Sequence, residues 1–254
     1  MAEGGASGFL VFFLITTIVT VIKFYVSGTS ILSINIAYGI LVVISQFVIN
    51  LNLTKVLCYG TNFLLAFLTT IVPWVLLFGI LNIMLVVFPG WLAPFSNTFG
   101  YGVALLAGAN ETIRGIFKDP SSLDDPKDAD TKQMKESLAY IYADQSLLIN
   151  QVTLENFETF WKKMRPLMNP SDADNPESME KFRKLIQIKE AVSLYIWYIL
   201  TGMVVTAISY NFILNAECAP SPEQSRHNIE EYQKTIEEEE KQQQEQNNIV
   251  YKGI

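Results

Sequence analysis

Four long windows without a charged side chain constrain the fold of this sequence more than any other feature. The windows are residues 4–22, 24–54, 56–110 and 191–216. A helix that crosses the hydrocarbon core of a bilayer needs about 20 predominantly apolar residues. Each window reaches or approaches that length, so the sequence predicts four membrane-spanning helices. A soluble single-domain enzyme is excluded.

The charges that remain are concentrated in two polar segments. Charged residues make up 17% of the chain, against about 25% in average globular proteins. Residues 111–190 carry 12 basic and 15 acidic side chains, and residues 215–254 carry four basic and nine acidic ones. Neither segment has the excess of basic side chains that binding to a phosphate backbone requires, so we expect no direct contact with nucleic acid.

The order of apolar and polar stretches predicts an all-α integral membrane protein with four regions. Residues 1–110 form a membrane region with three transmembrane helices and an interfacial segment, residues 111–190 a polar helical insertion, residues 191–214 the fourth transmembrane helix, and residues 215–254 an acidic helical tail. Within the third transmembrane helix, Pro73 predicts an irregularity, because proline cannot donate a backbone hydrogen bond.

The insertion and the fourth transmembrane helix are predicted to share one helix. Asn175 is a good N-cap, and Pro176 suits the first helical position. No breaker follows until Leu214, so a helix of about 39 residues would be about 58 Å long. Because its first half is charged and its second half apolar, we expect the insertion to be coupled rigidly to the membrane span.

Basic residues near the span ends predict the orientation. Lys181, Arg183, Lys184 and Lys189 precede the fourth span, and no basic residue follows it until Arg226. The positive-inside rule therefore places the insertion on the cytoplasmic side and both termini on the opposite side.

Two amphipathic stretches are candidate partner-binding surfaces, because their apolar residues recur at helical spacing. They comprise Leu154, Phe157, Trp161, Met164 and Met168 in the insertion, and Ile229, Tyr232 and Ile236 in the tail. The insertion stretch has a structural alternative, in which this face packs on the insertion's other helix or on the long helix. A further option is that this face lies on the membrane surface.

An uncharged aromatic segment follows the third span. Trp91, Phe95, Phe99 and Tyr101 are candidate membrane-interface residues, since aromatic rings with a polar edge favour the lipid–water boundary. The segment is too short to span, which leaves an interfacial or a re-entrant course open. Its small residues, Gly100 and Gly102 among them, would permit close helix contact.

Histidine and cysteine, which often serve as metal ligands or catalytic groups, are rare in this sequence. The chain has one histidine, His227, and two cysteines, Cys58 and Cys218. These counts exclude a Cys/His zinc site, and no catalytic or cofactor-binding pattern occurs, so we expect no enzyme. The predicted topology places both cysteines near one face of the membrane, on the oxidising side. A disulfide between them is one interpretation, and two unpaired cysteines are the other.

The motif FPGWLAPFSNTFGY at residues 88–101, with three spans before it and one after it, carries a family resemblance. In this respect the chain resembles small multi-pass membrane proteins of large nucleocytoplasmic DNA viruses, of the algal-virus and mimivirus kind. The resemblance covers residues 1–118 loosely and the remainder only in architecture. It implies a structural protein of the lipid membrane beneath an icosahedral capsid, with capsid or minor capsid proteins as partners and no catalytic residues. An accessory subunit or channel component of a cellular membrane complex is the alternative.

Overall fold

The computed structural model describes residues 3–26, 30–58, 61–123, 128–216, 226–227, 229–234 and 236. Every regular element within these ranges is helical, and one isolated antiparallel bridge joins Phe117 to Met168. Four of the helices are long and apolar enough to cross a membrane. The predicted all-α architecture with four apolar helices is therefore confirmed.

The helices follow one another with short connections. The membrane region contains α1 (Glu3–Tyr25), α2 (Ser30–Leu57), α3 (Phe63–Ile71), a π-helical stretch (Val72–Phe78) and α4 (Gly79–Val87). The aromatic segment contains a 3₁₀ turn (Pro89–Leu92), α5 (Ala93–Phe95), a second π-helical stretch (Ser96–Gly100) and α6 (Tyr101–Leu106). The insertion contains α7 (Ala109–Ile116), a 3₁₀ turn (Pro120–Ser122), α8 (Ala129–Ala143), α9 (Ser146–Ile149), α10 (Phe157–Met164), a 3₁₀ turn (Arg165–Leu167) and α11 (Pro170–Ala173), and α12 (Pro176–Leu214) follows.

The outer faces of the apolar helices carry exposed hydrophobic side chains. Leu14 on α1 is 57% exposed, Ile40 on α2 is 56% exposed, and Ile83 on α4 is 62% exposed. Soluble proteins rarely present continuous apolar surface on this scale to water. The hydrocarbon core of a bilayer is the environment in which such faces are stable.

An aromatic cluster fills the centre of the bundle. Phe12 of α1 packs against Trp74 and Phe78 of the third span, with ring centroids 5.1 Å and 5.9 Å apart. Helix α12 also approaches the Phe12 ring, because a Cβ atom on Gly202 would lie 2.1 Å from Phe12 Cε1. Glycine at position 202 therefore allows α1 and α12 to pack at this short distance.

The irregularity predicted at Pro73 takes the form of a π-helical stretch. Since proline has no N–H, the carbonyl of Thr69, four residues earlier, loses its usual helical donor. Ser209 of α12 donates its hydroxyl to that carbonyl at 2.7 Å. Asn50 of α2 in turn donates to Ser209 Oγ at 2.9 Å and to Thr70 Oγ1 at 2.8 Å. This network satisfies a backbone group inside the apolar region and links three helices.

Helix α12 is continuous over 39 residues, with Asn175 as its N-cap and Pro176 at its first position. The start and the length predicted from the sequence are both confirmed. Phe182, in its first half, is buried in the core of the insertion, and Val205, in its second half, is buried in the bundle. One helix therefore joins the two packed bodies.

The insertion has a hydrophobic core of its own. Helices α6 to α10, the segments beside them and the first half of α12 contribute to it. Its buried members are Ala104, Ala109, Ile113, Ile116, Phe117, Leu138, Ile141, Leu148, Ile149, Val152, Phe157, Trp161, Met168, Phe182, Leu185 and Ile186. A core of this size makes the insertion a packed helical body attached to α12.

Candidate functional site

The amphipathic face predicted over residues 154–168 lies mainly inside the insertion. Phe157, Trp161 and Met168 are at most 4% exposed and belong to its core, where the two rings pack against α12. The structural alternative holds for these three side chains, which a partner cannot reach in the folded protein. Leu154 is 41% exposed and Met164 is half-buried, so a partner-binding role for this pair stays a prediction.

The apolar residues of the tail are in a different position. Ile229, Tyr232 and Ile236 are all exposed, and the described residues around them are helical. Residues 217–225 and 237–254 lie outside the described part of the chain. A partner-binding role for the three side chains stays a prediction.

Cys58 is buried at the end of α2 and takes part in a disulfide. Cys218, the other cysteine of the chain, lies outside the described residues. The predicted bridge between these two cysteines therefore stays a prediction.

The candidate interface aromatics divide between exposed and packed positions. Trp91 and Phe99 are exposed, whereas Phe95 and Tyr101 are half-buried. Trp91 and Phe95 lie beside Trp197 of α12, with ring centroids 6.3 Å and 6.0 Å away, and Tyr101 packs on the core of the insertion. Their place at a lipid–water interface stays a prediction.

The aromatic segment follows α12 from Trp197 to Lys189. At the end of the segment that lies beside Lys189, a Cβ atom on Gly100 would lie 2.4 Å from the Lys189 carbonyl oxygen, so the two backbones are in close contact. The two α12 positions are separated by about 12 Å of helix. The segment therefore lies beside the part of α12 where the polar half meets the apolar half.

Two neighbouring charged residues of α12 hold the insertion at this junction. Lys189 is 1% exposed, and its Nζ donates to the carbonyl oxygens of Ile149 and Val152, both at 2.7 Å. Glu190 Oε1 accepts a hydrogen bond from the backbone N–H of Leu154 at 2.9 Å. A buried ammonium is stable only when it is hydrogen-bonded, and here it also closes the C-terminal end of α9. We call Lys189 and Glu190 the junction clamp.

We expect the substitution Lys189→Met to loosen the turn that the junction clamp holds. The carbonyls of Ile149 and Val152 would lose their buried donor, at a cost of about 1–3 kcal/mol per unsatisfied group. Hydrogen exchange of peptides that cover residues 146–156 should become about tenfold faster or more. Lys184→Met is the matched control, because Lys184 is exposed on the same helix. Equal exchange in the two variants would refute the clamp.

A cleft of about 1010 Å³ opens beside the junction clamp. Residues 20–26 of the α1 end, 89–97 of the aromatic segment, 150–155 of the insertion and 180–198 of α12 contribute its lining. We call it the boundary cleft. Gln187 crosses one side of it and donates to the Phe24 carbonyl at 2.9 Å, which ties the end of α1 to α12.

Carboxylates of the insertion serve local structure. Asp172 accepts hydrogen bonds from Ser178 Oγ at 2.6 Å and from Ser171 Oγ at 2.8 Å. These two hydroxyl donors lower the pKa of the Asp172 carboxyl from its usual value. Glu158 forms an ion pair with Arg183. Among the described residues, no group of three or more His, Cys, Asp or Glu side chains could hold a metal ion.

No protein-family model matches the chain, and neither a curated protein nor a solved structure is detectably similar to it. The resemblance to viral inner-membrane proteins therefore stays a prediction.

Proposed function

We propose that this chain is a non-enzymatic structural membrane protein of a virus particle, which anchors an internal lipid membrane to capsid or minor capsid proteins. The observation that carries the proposal is the continuity of α12 over 39 residues. Its polar half is part of the insertion's core, and its apolar half is part of the bundle. A load on the insertion is therefore transmitted to the membrane anchor without a flexible linker.

The proposed attachment is bivalent. The apolar helices bind the lipid, and the insertion presents a surface to the protein shell. The tail, on the opposite face of the membrane, presents Ile229, Tyr232 and Ile236 as an apolar contact for a partner on that face. Because the tail region is acidic, a basic surface on the partner would complement it.

The proposed location is an internal virion membrane, with the insertion on the cytoplasmic-equivalent face. Basic residues that precede the apolar half of α12, such as Lys181 and Lys184, support this orientation because positive charge is retained on the cytoplasmic side. The motif at residues 88–101 supports the viral assignment through its resemblance to inner-membrane proteins.

The packing of the bundle favours an anchor over a channel component. The side-chain amide of Gln46 donates to the Gly8 carbonyl at 2.9 Å, and that of Asn50 donates to α3 and α12. Both amide nitrogens are therefore used to link helices. Phe12 and Trp74 fill the centre of the bundle, where a pore would need water.

Crosslinking mass spectrometry on purified particles tests the proposal. Lys162 and Lys163 are exposed on α10 of the insertion, and we expect them to crosslink to capsid or minor capsid proteins. Lys55 is exposed near the C-terminal end of α2, on the face of the membrane that the predicted orientation assigns to the termini. It is the matched control and should give no such crosslink. Absence of the protein from particles, or its release by mild detergent with the capsid contacts untouched, would refute the proposal.

A further inference from the structure

One stretch of the insertion is unusual because it carries no charge. The ten residues 145–154 are the longest uncharged stretch in a region that has 12 basic and 15 acidic side chains. Asp144 and Glu155 bound this stretch on its two sides. We call residues 145–154 the uncharged turn.

Two leucines of the uncharged turn have exposed side chains. Within the described part of the insertion, three large hydrophobic side chains are exposed, namely Tyr140, Leu147 at 51% and Leu154 at 41%. Two of these three therefore lie in the uncharged turn. Both leucines lie outside the core of the insertion, although other residues of the turn belong to it. The turn thus has an apolar outer surface in addition to its buried one.

Hydrogen bonds of the junction clamp fix the level of the uncharged turn along α12. The Lys189 ammonium donates to the carbonyl of Ile149, and the Glu190 carboxylate accepts from the N–H of Leu154 itself. Leu147 is two residues from Ile149, which is at most about 7 Å of chain. The fourth uncharged window of the sequence begins directly after the clamp. Because the headgroup region is about 5–8 Å thick on each side of a bilayer, both leucines lie at headgroup level.

The backbone of the uncharged turn has its hydrogen-bond partners within the protein. The N–H groups of residues 151–154 all have an acceptor. The carbonyl of Gln151 accepts from Asn156, and those of Ile149 and Val152 accept from Lys189. A backbone that leaves bulk water needs such internal partners. The turn can therefore lie against lipid without losing hydrogen bonds.

The lipid-facing surface of the spans reaches the same level. Ile83 on α4 is exposed, and so is Phe99 in the aromatic segment. No charged side chain occurs in residues 56–110, which contain both. Phe99 directly precedes Gly100, whose backbone is in close contact with that of Lys189. Exposed apolar side chains thus extend from the third span to the level of the junction clamp, which is also the level of the uncharged turn.

We propose that the uncharged turn is a lipid contact of the insertion, in which Leu147 and Leu154 enter the boundary between the headgroups and the acyl chains of the adjacent leaflet. Apolar side chains at this depth are stabilised by burial in lipid, as in amphipathic segments that lie in a membrane interface. The exposed Asp144 and Glu155 stay in the hydrated layer and limit the depth. The proposal rests on the membrane anchoring argued above and is independent of the capsid partner.

Photocrosslinking of the full chain in phosphatidylcholine vesicles tests the contact. The photoreactive residue p-benzoylphenylalanine replaces either Leu147 or Leu154, and the intact mass after irradiation identifies the molecule that it has joined. Because both positions lie outside the core, the larger side chain is accommodated without repacking. We expect the mass of one lipid to be added at each position.

Two further positions serve as controls. Ile83, exposed on the third span, is the positive control and should give the same lipid adduct. Tyr140 is the matched negative control, because it is exposed on the insertion outside the uncharged turn. Its lipid adduct should be about tenfold less abundant, since no apolar surface holds it at the interface.

The remaining outcomes overturn the proposal in distinguishable ways. A doubled chain mass from Leu147 or Leu154 would identify a second copy of the chain as the occupant of this surface. Equal lipid adducts at Tyr140 and at the two leucines would show that the contact is not specific to the turn. Lipid adducts at Ile83 alone would leave the turn in water and the membrane anchor intact. Absence of lipid adducts at Ile83 as well would overturn the membrane anchor itself.

Discussion

Replacement of Phe182 by alanine is expected to destabilise the insertion by about 3–5 kcal/mol, the usual cost of removing a fully buried aromatic ring. The Phe182 side chain is 0% exposed. Its ring centroid lies 5.9–6.2 Å from those of Phe157, Phe160 and Trp161. Because α12 supplies Phe182 while the other three rings belong to α10, the cavity would open the contact that attaches the insertion to the long helix.

Denaturant unfolding in detergent, followed by the tryptophan fluorescence to which Trp161 contributes, measures the loss of stability. Phe182→Leu should lose much less stability, since it leaves a smaller cavity. Tyr140→Ala is the matched control, because Tyr140 is an aromatic residue of the insertion that is 69% exposed. Equal loss in Phe182→Ala and Tyr140→Ala would show that the aromatic contact does not hold the insertion on α12.

The substitution Gly202→Ala is expected to destabilise the membrane bundle by about 3 kcal/mol, at the upper end of the range for overpacking. The added Cβ atom would lie 2.1 Å, 2.2 Å and 2.8 Å from three atoms of the Phe12 ring. That ring is enclosed by Trp74 and Phe78, so it has no space to move away. The helices α1 and α12 would have to separate instead.

Thermal unfolding in detergent, followed by intrinsic fluorescence, distinguishes this clash from a general effect of alanine. Gly39→Ala on α2 is the matched control, because a Cβ atom there meets nothing within 4 Å. Its Tm should be unchanged or slightly higher, since alanine favours helix more than glycine does. Phe12→Leu in the Gly202→Ala background should recover part of the loss, because the two positions are coupled. A Tm for Gly202→Ala equal to that of Gly39→Ala would contradict the close packing.

Local signals made much of the helical architecture predictable. The start of α12 depends on Asn175 and Pro176, whose capping and backbone preferences act within a few residues. Its length depends on the absence of any breaker before Leu214. The four apolar helices were predictable for the same reason, since transfer into lipid depends on the composition of about 20 consecutive residues.

The role of the apolar face in residues 154–168 was not predictable from its period. A face that packs into a core and a face that binds a partner both repeat every three to four residues. Only the position of α12 beside Phe157 and Trp161 resolves this ambiguity. The tail residue Tyr232 has the same type of spacing and remains exposed.

Lys189 was recognisable in the sequence only as one of several positive charges before the fourth span. Its neighbours Lys181 and Lys184 are exposed, whereas Lys189 is buried and hydrogen-bonded to two carbonyls. Glu190 was missed altogether, because an acidic residue beside a lysine is a common surface pattern. The one signal that could have found the pair is its place, directly before the uncharged window that begins at residue 191.

The sequence by itself determined that the chain has four apolar helices and a polar insertion between the last two. It also determined that one long helix belongs both to the insertion and to the fourth span. These properties follow from hydrophobic transfer and helix capping, which act on neighbouring residues. The tertiary structure alone decided which glycines are in close contact, so that Gly100 meets the Lys189 backbone while Gly102 meets nothing within 4 Å. It also decided which lysine is buried and where the boundary cleft lies. Close packing depends on pairs of residues far apart in the chain, and a single sequence does not record their distances.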